Sequence, residues 1–425
     1  MSNSQSAATK KTKRPRGLLA SRKATDHQAE SEPVVKKARN DDTVPQDPEE
    51  IKIQDWQDLD ELFENALDAL YGPNWTSALP LVRGVLHECA RLESVHGDPT
   101  LIYSPLDGEI STISEQTPAS AFFAIYASAW LIISTFARND PSLLTEDEPE
   151  DPLEYALSAL AACEKGQQAL DTRKQPKAWD LEFIWGRALV TAAQNFAGAE
   201  DEPQGSENGT IDARAHFLGP DTSTVLGRAF EHLTYAVKNR PRPAGSGEGI
   251  ENEQKPKDER FVRALVETAQ GVLAVSESLQ SEEKSSVRYL EGARGLLHHA
   301  EEIAIPLELQ IQVALGLGQV ELTIGSAIAE ELEVDSDEEA TSVKETRATA
   351  IKSLKDAIAK FDSVRDLCAK QSSGKAESVV EELKPMLQEA LVTLATLLPE
   401  GPEQESMYSR YQSEGGVLDE EDESE

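Results

Sequence analysis

The sequence predicts an all-α chain, an irregular tetratricopeptide-like superhelix of helical hairpins with a disordered basic N-terminal arm and an acidic C-terminal tail. Three observations lead there. From about residue 55 onward, apolar residues recur at steps of three and four, and no stretch alternates apolar and polar for long. Ala, Leu, Glu and Gln dominate that region, and these residues lose little on entering a helix. An Ala-rich helix type returns with starts near 152, 225, 286 and 350, as a degenerate repeat array with insertions would show.

Residues 1–50 read as a disordered arm. Pro15, Pro33 and Pro45 interrupt it, and no apolar periodicity precedes Ile51. Its first 40 residues hold ten basic side chains against three acidic ones, a net of +7 in a chain whose total is −36. Lys10, Lys11, Lys13 and Arg14, followed by Lys36, Lys37 and Arg39, have the clustering of a nuclear import signal. An import receptor with acidic grooves is the expected partner of such a segment, and the nucleus the expected location. No aromatic residue is interleaved for base stacking, and the acidic body opposes polyanions, so direct nucleic-acid binding is not expected.

Helices follow one another through residues 51–400. Leu59, Leu62, Phe63, Ala66, Leu67 and Leu70 form the first stripe, which Gly72-Pro73 stops. Leu79, Val82, Leu86, Cys89 and Leu92 form the second, over 76–93. Further helices are expected at about 119–137, 152–171, 179–197, 221–239, 260–280, 284–304, 306–332, 342–371 and 376–398. Small residues at Gly186, Gly271 and Gly316 or Gly318 would let antiparallel helices approach closely. Loop insertions are expected near 198–212, 242–258 and 333–341, where Gly, Pro and Glu concentrate. Residues 401–425 read as a disordered acidic tail.

The stretch 116–137 bears no charge and is long enough to span a bilayer. Scattered serines and the absence of a basic flank favour a core helix instead, with Ile125, Trp130 and Ile133 buried and the serines bonded to carbonyls one turn back. No membrane association is expected.

Catalytic chemistry finds no foothold. Cys89, Cys163 and Cys368 lie far apart, which excludes a disulfide scaffold or zinc ribbon. His87-Glu88-Cys89 resembles the start of a zinc-protease helix, but Arg91 stands where the second histidine belongs, so His87 reads as a cap or core-edge residue. His298 and His299 beside Glu301 and Glu302 diverge by about 100° on a helix, so both cannot join one carboxylate. Phosphate loops, nucleophile elbows and Cys/His pairs at catalytic spacing are absent. No enzyme activity, cofactor or metal is expected.

Three short motifs bring a family into view. Lys13-Arg14-Pro15-Arg16-Gly17-Leu18 resembles the Lys-Arg-Pro-x-Gly-Leu opening of the fungal enhancer of translation termination proteins. The run from Val85 to Leu92 is similar to their Val-His-Glu-Cys-Asp-Arg-Leu helix, with Ala90 in place of the usual Asp. Phe123-Ala124-Ile125-Tyr126-Ala127 resembles their Gly-Ile-Tyr-Ala stretch, with Ala124 in place of Gly. That family includes a nuclear negative regulator of an oxygen-sensing prolyl dioxygenase. The resemblance therefore implies a nuclear, non-enzymatic adaptor that binds an iron- and 2-oxoglutarate-dependent prolyl dioxygenase. It also implies an influence on hypoxic gene expression and on translation termination, with the termination machinery as a further partner. Independently of it, a helical array this acidic also fits a histone-chaperone-like protein. The sequence does not single out the residues that would bind a partner.

Overall fold

The computed structural model describes residues 48–417, apart from 100–119, 198–213, 215, 220, 242–247, 280–282, 304, 335–340 and 372–373. The import-signal residues Lys10, Lys11, Lys13, Arg14, Lys36, Lys37 and Arg39 lie outside the described residues. So do the expected loop at 198–212 and most of that near 333–341.

Among the described residues there are helices, turns and no strands. The first hairpin is α1 (Pro48–Leu70) and α2 (Ala78–His96). Then come α3 (Ala121–Asn139) with α4 (Pro152–Thr172), and α5 (Trp179–Ala197) with α6 (Thr222–Asn239). Next are α7 (Glu248–Ser278) with α8 (Glu283–Glu301), and α9 (Leu307–Val334) with α10 (Thr341–Ala369). Finally α11 (Gly374–Leu397) pairs with α12 (Pro402–Ser413).

Local chemistry fixes many of these ends. Asp151 accepts from the Leu153 amide just before Pro152, and Asp221 accepts from the Thr224 amide at 2.6 Å. Such caps are each worth about 1 kcal/mol. Gly97 closes α2 at φ 66°, a conformation that other residues adopt only with strain.

Each hairpin packs internally, and the odd-numbered helices from α3 to α11 also pack on one another in succession. Among the described residues of the even-numbered row, only α6 and α8 pack comparably, so the array curves with the odd row on its inside. Gly186 on α5 meets α6: a Cβ there would stand 2.5 Å from Leu233 Cγ and 3.0 Å from the Ala229 carbonyl oxygen. Gly318 meets the Phe361 ring of α10 in the same way, and Gly316 lies more loosely against Leu297. Gly271 differs, because its neighbour is Val190 of the preceding odd helix rather than its own hairpin partner.

The apolar helix α3 is core, with Phe122 and Phe136 fully buried and Ile125 and Ile133 nearly so. It and α9 are long and apolar enough to cross a membrane, but 67% of the apolar window in each is buried against other helices. Two expectations for α3 need correction. Trp130 is only half-buried; it points between Tyr126 and Tyr155, whose rings lie 6.0 and 6.1 Å away. Ser128 bonds one turn back to Ala124, but Ser134 reaches across to the carbonyl of Pro152 at the start of α4.

Two segments also depart from the expected boundaries. The loop placed at 242–258 is helical from Glu248, and α7 runs through Pro256. Proline removes one intrahelical bond but does not forbid the helix around it. Residues 402–413, expected in a disordered tail, form α12, which has no buried residue of its own. Met407 and Tyr411 pack partly buried against the core, and ion pairs add to the hold: Arg365 of α10 grips Glu414 through two bonds of 2.6 Å, and Arg410 pairs with Asp362. A polar end-helix of this kind closes the exposed face of a stacked array.

Candidate functional site

The inside of the curve has two chemically distinct stretches. Towards the C-terminal end, α7, α9 and α11 enclose an open groove of about 590 Å³. Gln270 and Glu277 come from α7, Gln319 and Glu330 from α9, and Met386 and Glu389 from α11. These residues are presented inward because the opposite stripe of each helix is committed to the core, with Leu317, Val320 and Ile324 of α9 and Leu387 and Leu391 of α11 buried. Several of the groove's polar side chains bond within the protein: Ser276 donates to the Leu273 carbonyl at 2.7 Å and Thr323 to the Gln319 carbonyl at 2.9 Å. Gln319 donates to Met386 Sδ at 3.5 Å, and Ser326 approaches Glu389 at 3.4 Å. The groove is wide, and Glu277, Glu330 and Glu389 make it mildly acidic. It suits a peptide segment with basic and apolar residues better than a small, tightly held ligand.

Nearer the N-terminal end, the inside is lined by arginines. Arg187 of α5 pairs with Glu267 of α7 at 2.8 Å, and Arg138 at the end of α3 donates to Gln194 at 2.5 Å. Arg260 of α7 pairs with Glu64 and, at 2.6 Å, with Asp68, both on α1. Arg263 lies over the Tyr71 ring, 5.6 Å from its centre. Burial pushes the Tyr71 hydroxyl up to about 12; Glu267 adds to this, and Arg187, Arg263 and Arg260 oppose it.

The remaining charged contacts are structural. Glu182 of α5 is 1% exposed, its Oε2 lies 2.7 Å from His232 Nδ1, and Lys177 pairs with it at 3.1 Å. Burial works against its charge, but those partners hold its carboxyl below the usual carboxylate range. His232 also stacks on Trp185, with ring centres 4.6 Å apart. Arg83 ties α2 to the loop before α4 through Glu148 and the Leu143 carbonyl.

Cys89, Cys163 and Cys368 are buried free thiols, and burial raises the pKa of each, which leaves them poor nucleophiles. His298 faces Glu301 at 3.3 Å and His299 faces Glu302 at 3.7 Å, so the two rings serve different carboxylates. His87 is exposed rather than at the core edge. Among the described residues, no cluster of three His, Cys, Asp or Glu side chains could hold a metal ion.

The motif residues on α2 and α3 are mostly packing residues. Val85, Cys89, Leu92, Phe123, Ala124, Ile125 and Ala127 are buried. Arg91 instead joins Glu88 to Asp55 of α1 and so fastens the first hairpin. Sequence reasoning singled out none of the groove residues. Gln, Glu and Met are ordinary on helices, and only the stacking of three hairpins brings these together.

No known family profile matches the chain, and no curated protein matches it in sequence. In structure it is similar to a solved protein described as the hypoxic regulator of sterol synthesis Nro1, a nuclear import adaptor. The two share a TM-score of 0.54 and 15% identity over 87% of this chain and 90% of the other. Likeness at that identity shows a shared fold, the all-α helical superhelix.

Proposed function

We propose that this protein is a nuclear, non-enzymatic adaptor that grips a partner segment in the groove between α7, α9 and α11. The observation behind the reading is the groove itself: about 590 Å³, open, lined from three successive hairpins, and carrying Glu277, Glu330 and Glu389. Its likeness in fold to a nuclear import adaptor supports the same role.

An adaptor needs a second surface, and the basic arm supplies it. Lys10, Lys11, Lys13 and Arg14, with Lys36, Lys37 and Arg39, engage an import receptor through charge-assisted contacts. The partner in the groove is an iron- and 2-oxoglutarate-dependent prolyl dioxygenase, and binding it connects the chain to hypoxic gene expression. That assignment draws on the motif resemblance and on the hypoxic role stated for the structural neighbour. A role in translation termination draws on the motif resemblance alone.

Affinity purification from nuclei at two salt concentrations, with and without Glu330→Arg and Glu389→Arg, tests the reading. Recovery of a dioxygenase by the unaltered chain but not by the double variant is expected. Core histones recovered in its place, and lost steeply with salt, would favour the histone-chaperone reading. The arm is tested separately. Changing all seven cations to Ala should move the protein to the cytoplasm, and a variant that stayed nuclear would refute the import role.

A further inference from the structure

We infer that the arginine-lined stretch of the inner face is a docking site for an acidic helix of a partner protein, and that the C-terminal end of α1 occupies it in the free chain. The inference goes beyond the groove reading and does not depend on it.

The arginines converge. In a chain of net charge −36, Arg187, Arg260 and Arg263 all act electrostatically on the Tyr71 hydroxyl, Arg263 lies 5.6 Å from the centre of its ring, and Arg138 bonds to Gln194 of α5. Arg187 has an acidic partner on the next odd-numbered helix, Glu267, which also acts on Arg138. Arg260 takes its carboxylates from α1, three odd-numbered helices away. Partial burial lowers its pKa, but Glu64 and then Asp68 more than offset this and hold it above the ordinary guanidinium value.

An acidic helix face already sits there. Asp60, Glu64 and Asp68 are four residues apart, so they lie on one face of α1. That face is turned to α7: Lys257 acts on Asp60, and Arg260 binds the other two. Tyr71, just past the helix end, adds an aromatic face to Arg263. The pattern is that of a ligand, a helix presenting carboxylates at every turn and an aromatic at its end, which happens to be covalently attached.

That face is lightly held. The helix α1 packs on α2 through Leu59 and Ala66, which are fully buried, and does not pack comparably on α7. The ties to α7 are ion pairs of the 18% exposed Arg260 with carboxylates at the rim, the Glu64 side chain being 43% and Asp68 73% exposed. Exposed pairs contribute little and are weakened by salt. A partner helix with the same spacing can therefore replace them without disturbing the core.

The test uses a fluorescent peptide of residues 58–72 in which Leu59, Leu62 and Phe63 are Ala, so that the acidic face remains and the α2-facing stripe does not. The full chain carrying Glu64→Ala and Asp68→Ala should bind it at least tenfold more tightly than the unaltered chain. Adding Arg260→Gln and Arg263→Gln to that variant should abolish binding while helix content and melting temperature stay close to those of the parent. Equal binding by the unaltered and Glu64/Asp68 variants would overturn the proposal. So would binding that survives loss of both arginines, or a scrambled peptide of the same charge binding as well. Because the readout is peptide affinity, failure here leaves the capture experiment on the groove untouched, and the reverse also holds.

Discussion

The close approach of α5 and α6 at Gly186 makes one substitution unusually diagnostic. Replacing a mid-helix glycine by alanine ordinarily stabilises by about 1 kcal/mol, because the unfolded chain has fewer conformations to lose. At Gly186 the new methyl would stand 2.5 Å from Leu233 Cγ, 2.8 Å from its Cδ2 and 3.0 Å from the Ala229 carbonyl. Carbon atoms in contact settle about 3.5–4.0 Å apart, so the helices must part by roughly 1 Å or Leu233 must leave its position. Leu233 is fully buried and the carbonyl is backbone, so neither yields cheaply. Overpacking of this kind costs about 1–3 kcal/mol, which exceeds the propensity gain or at least cancels it. Gly295 on α8 is the control, with nothing within 4 Å of the position a methyl would take. Gly186→Ala should therefore lower the urea midpoint, while Gly295→Ala should raise it by the equivalent of about 0.5–1 kcal/mol. Stacked arrays need not unfold in one step, so amide exchange of α5 and α6 should accompany the titration and show the loss localised there. A Gly186→Ala protein as stable as Gly295→Ala would refute the close packing of this hairpin.

Two further expectations concern the core and acid. Phe136→Ala, which empties a fully buried site against Trp75, should cost about 3–5 kcal/mol, whereas Trp130→Ala, at a half-buried ring, should cost about 2 kcal/mol or less by the same denaturation assay. Because the folded-state pKa of Glu182 is depressed, its stabilising contribution is complete above the unfolded value of about 4.3 and disappears as pH falls through the folded one. Glu182→Gln should consequently flatten the acid limb of the stability–pH curve below about pH 4.5, and an unchanged limb would count against the His232 and Lys177 bonds.

How much of this was legible depends on where each element draws its stability. The helix α3 was plain in the sequence because eleven of its residues are buried and the apolar signal saturates it. The helix α12 was invisible because it fully buries no residue; only Met407 and Tyr411 pack against the core, and Arg365 and Arg410 add ion pairs whose partners cannot be assigned from spacing. The start of α7 was missed for another reason: Gly and Pro are read as breaks, and Pro256 sits inside the helix. Gly186 and Gly318 announced close approaches correctly, whereas Gly271 announced one to a different neighbour. The groove and the arginine stretch left no local trace. Arg260 and Glu64 are 196 residues apart, and Gln270, Gln319 and Met386 come together only after three hairpins have stacked.

That long separation bears on how the inner face keeps its shape. In a stacked array each hairpin is stabilised by its neighbours, so stability sums along the chain and curvature is free to vary with small rotations at every interface. A contact between non-neighbours restrains that freedom without adding much to the sum. The tie between α1 and Arg260 is such a contact, since it skips two complete hairpins and consists of ion pairs whose carboxylates are exposed to solvent. Raising the salt concentration should thus loosen the N-terminal half of the curve well before it unfolds anything. The distance between spin labels at Asn65 on α1 and Glu259 on α7 should broaden and lengthen with salt, while helix content stays constant. Arg260→Gln should show the broadened distribution at low salt already. A narrow, salt-independent distance in both proteins would mean that the packing of α1 on α2, rather than the charges, sets the curvature.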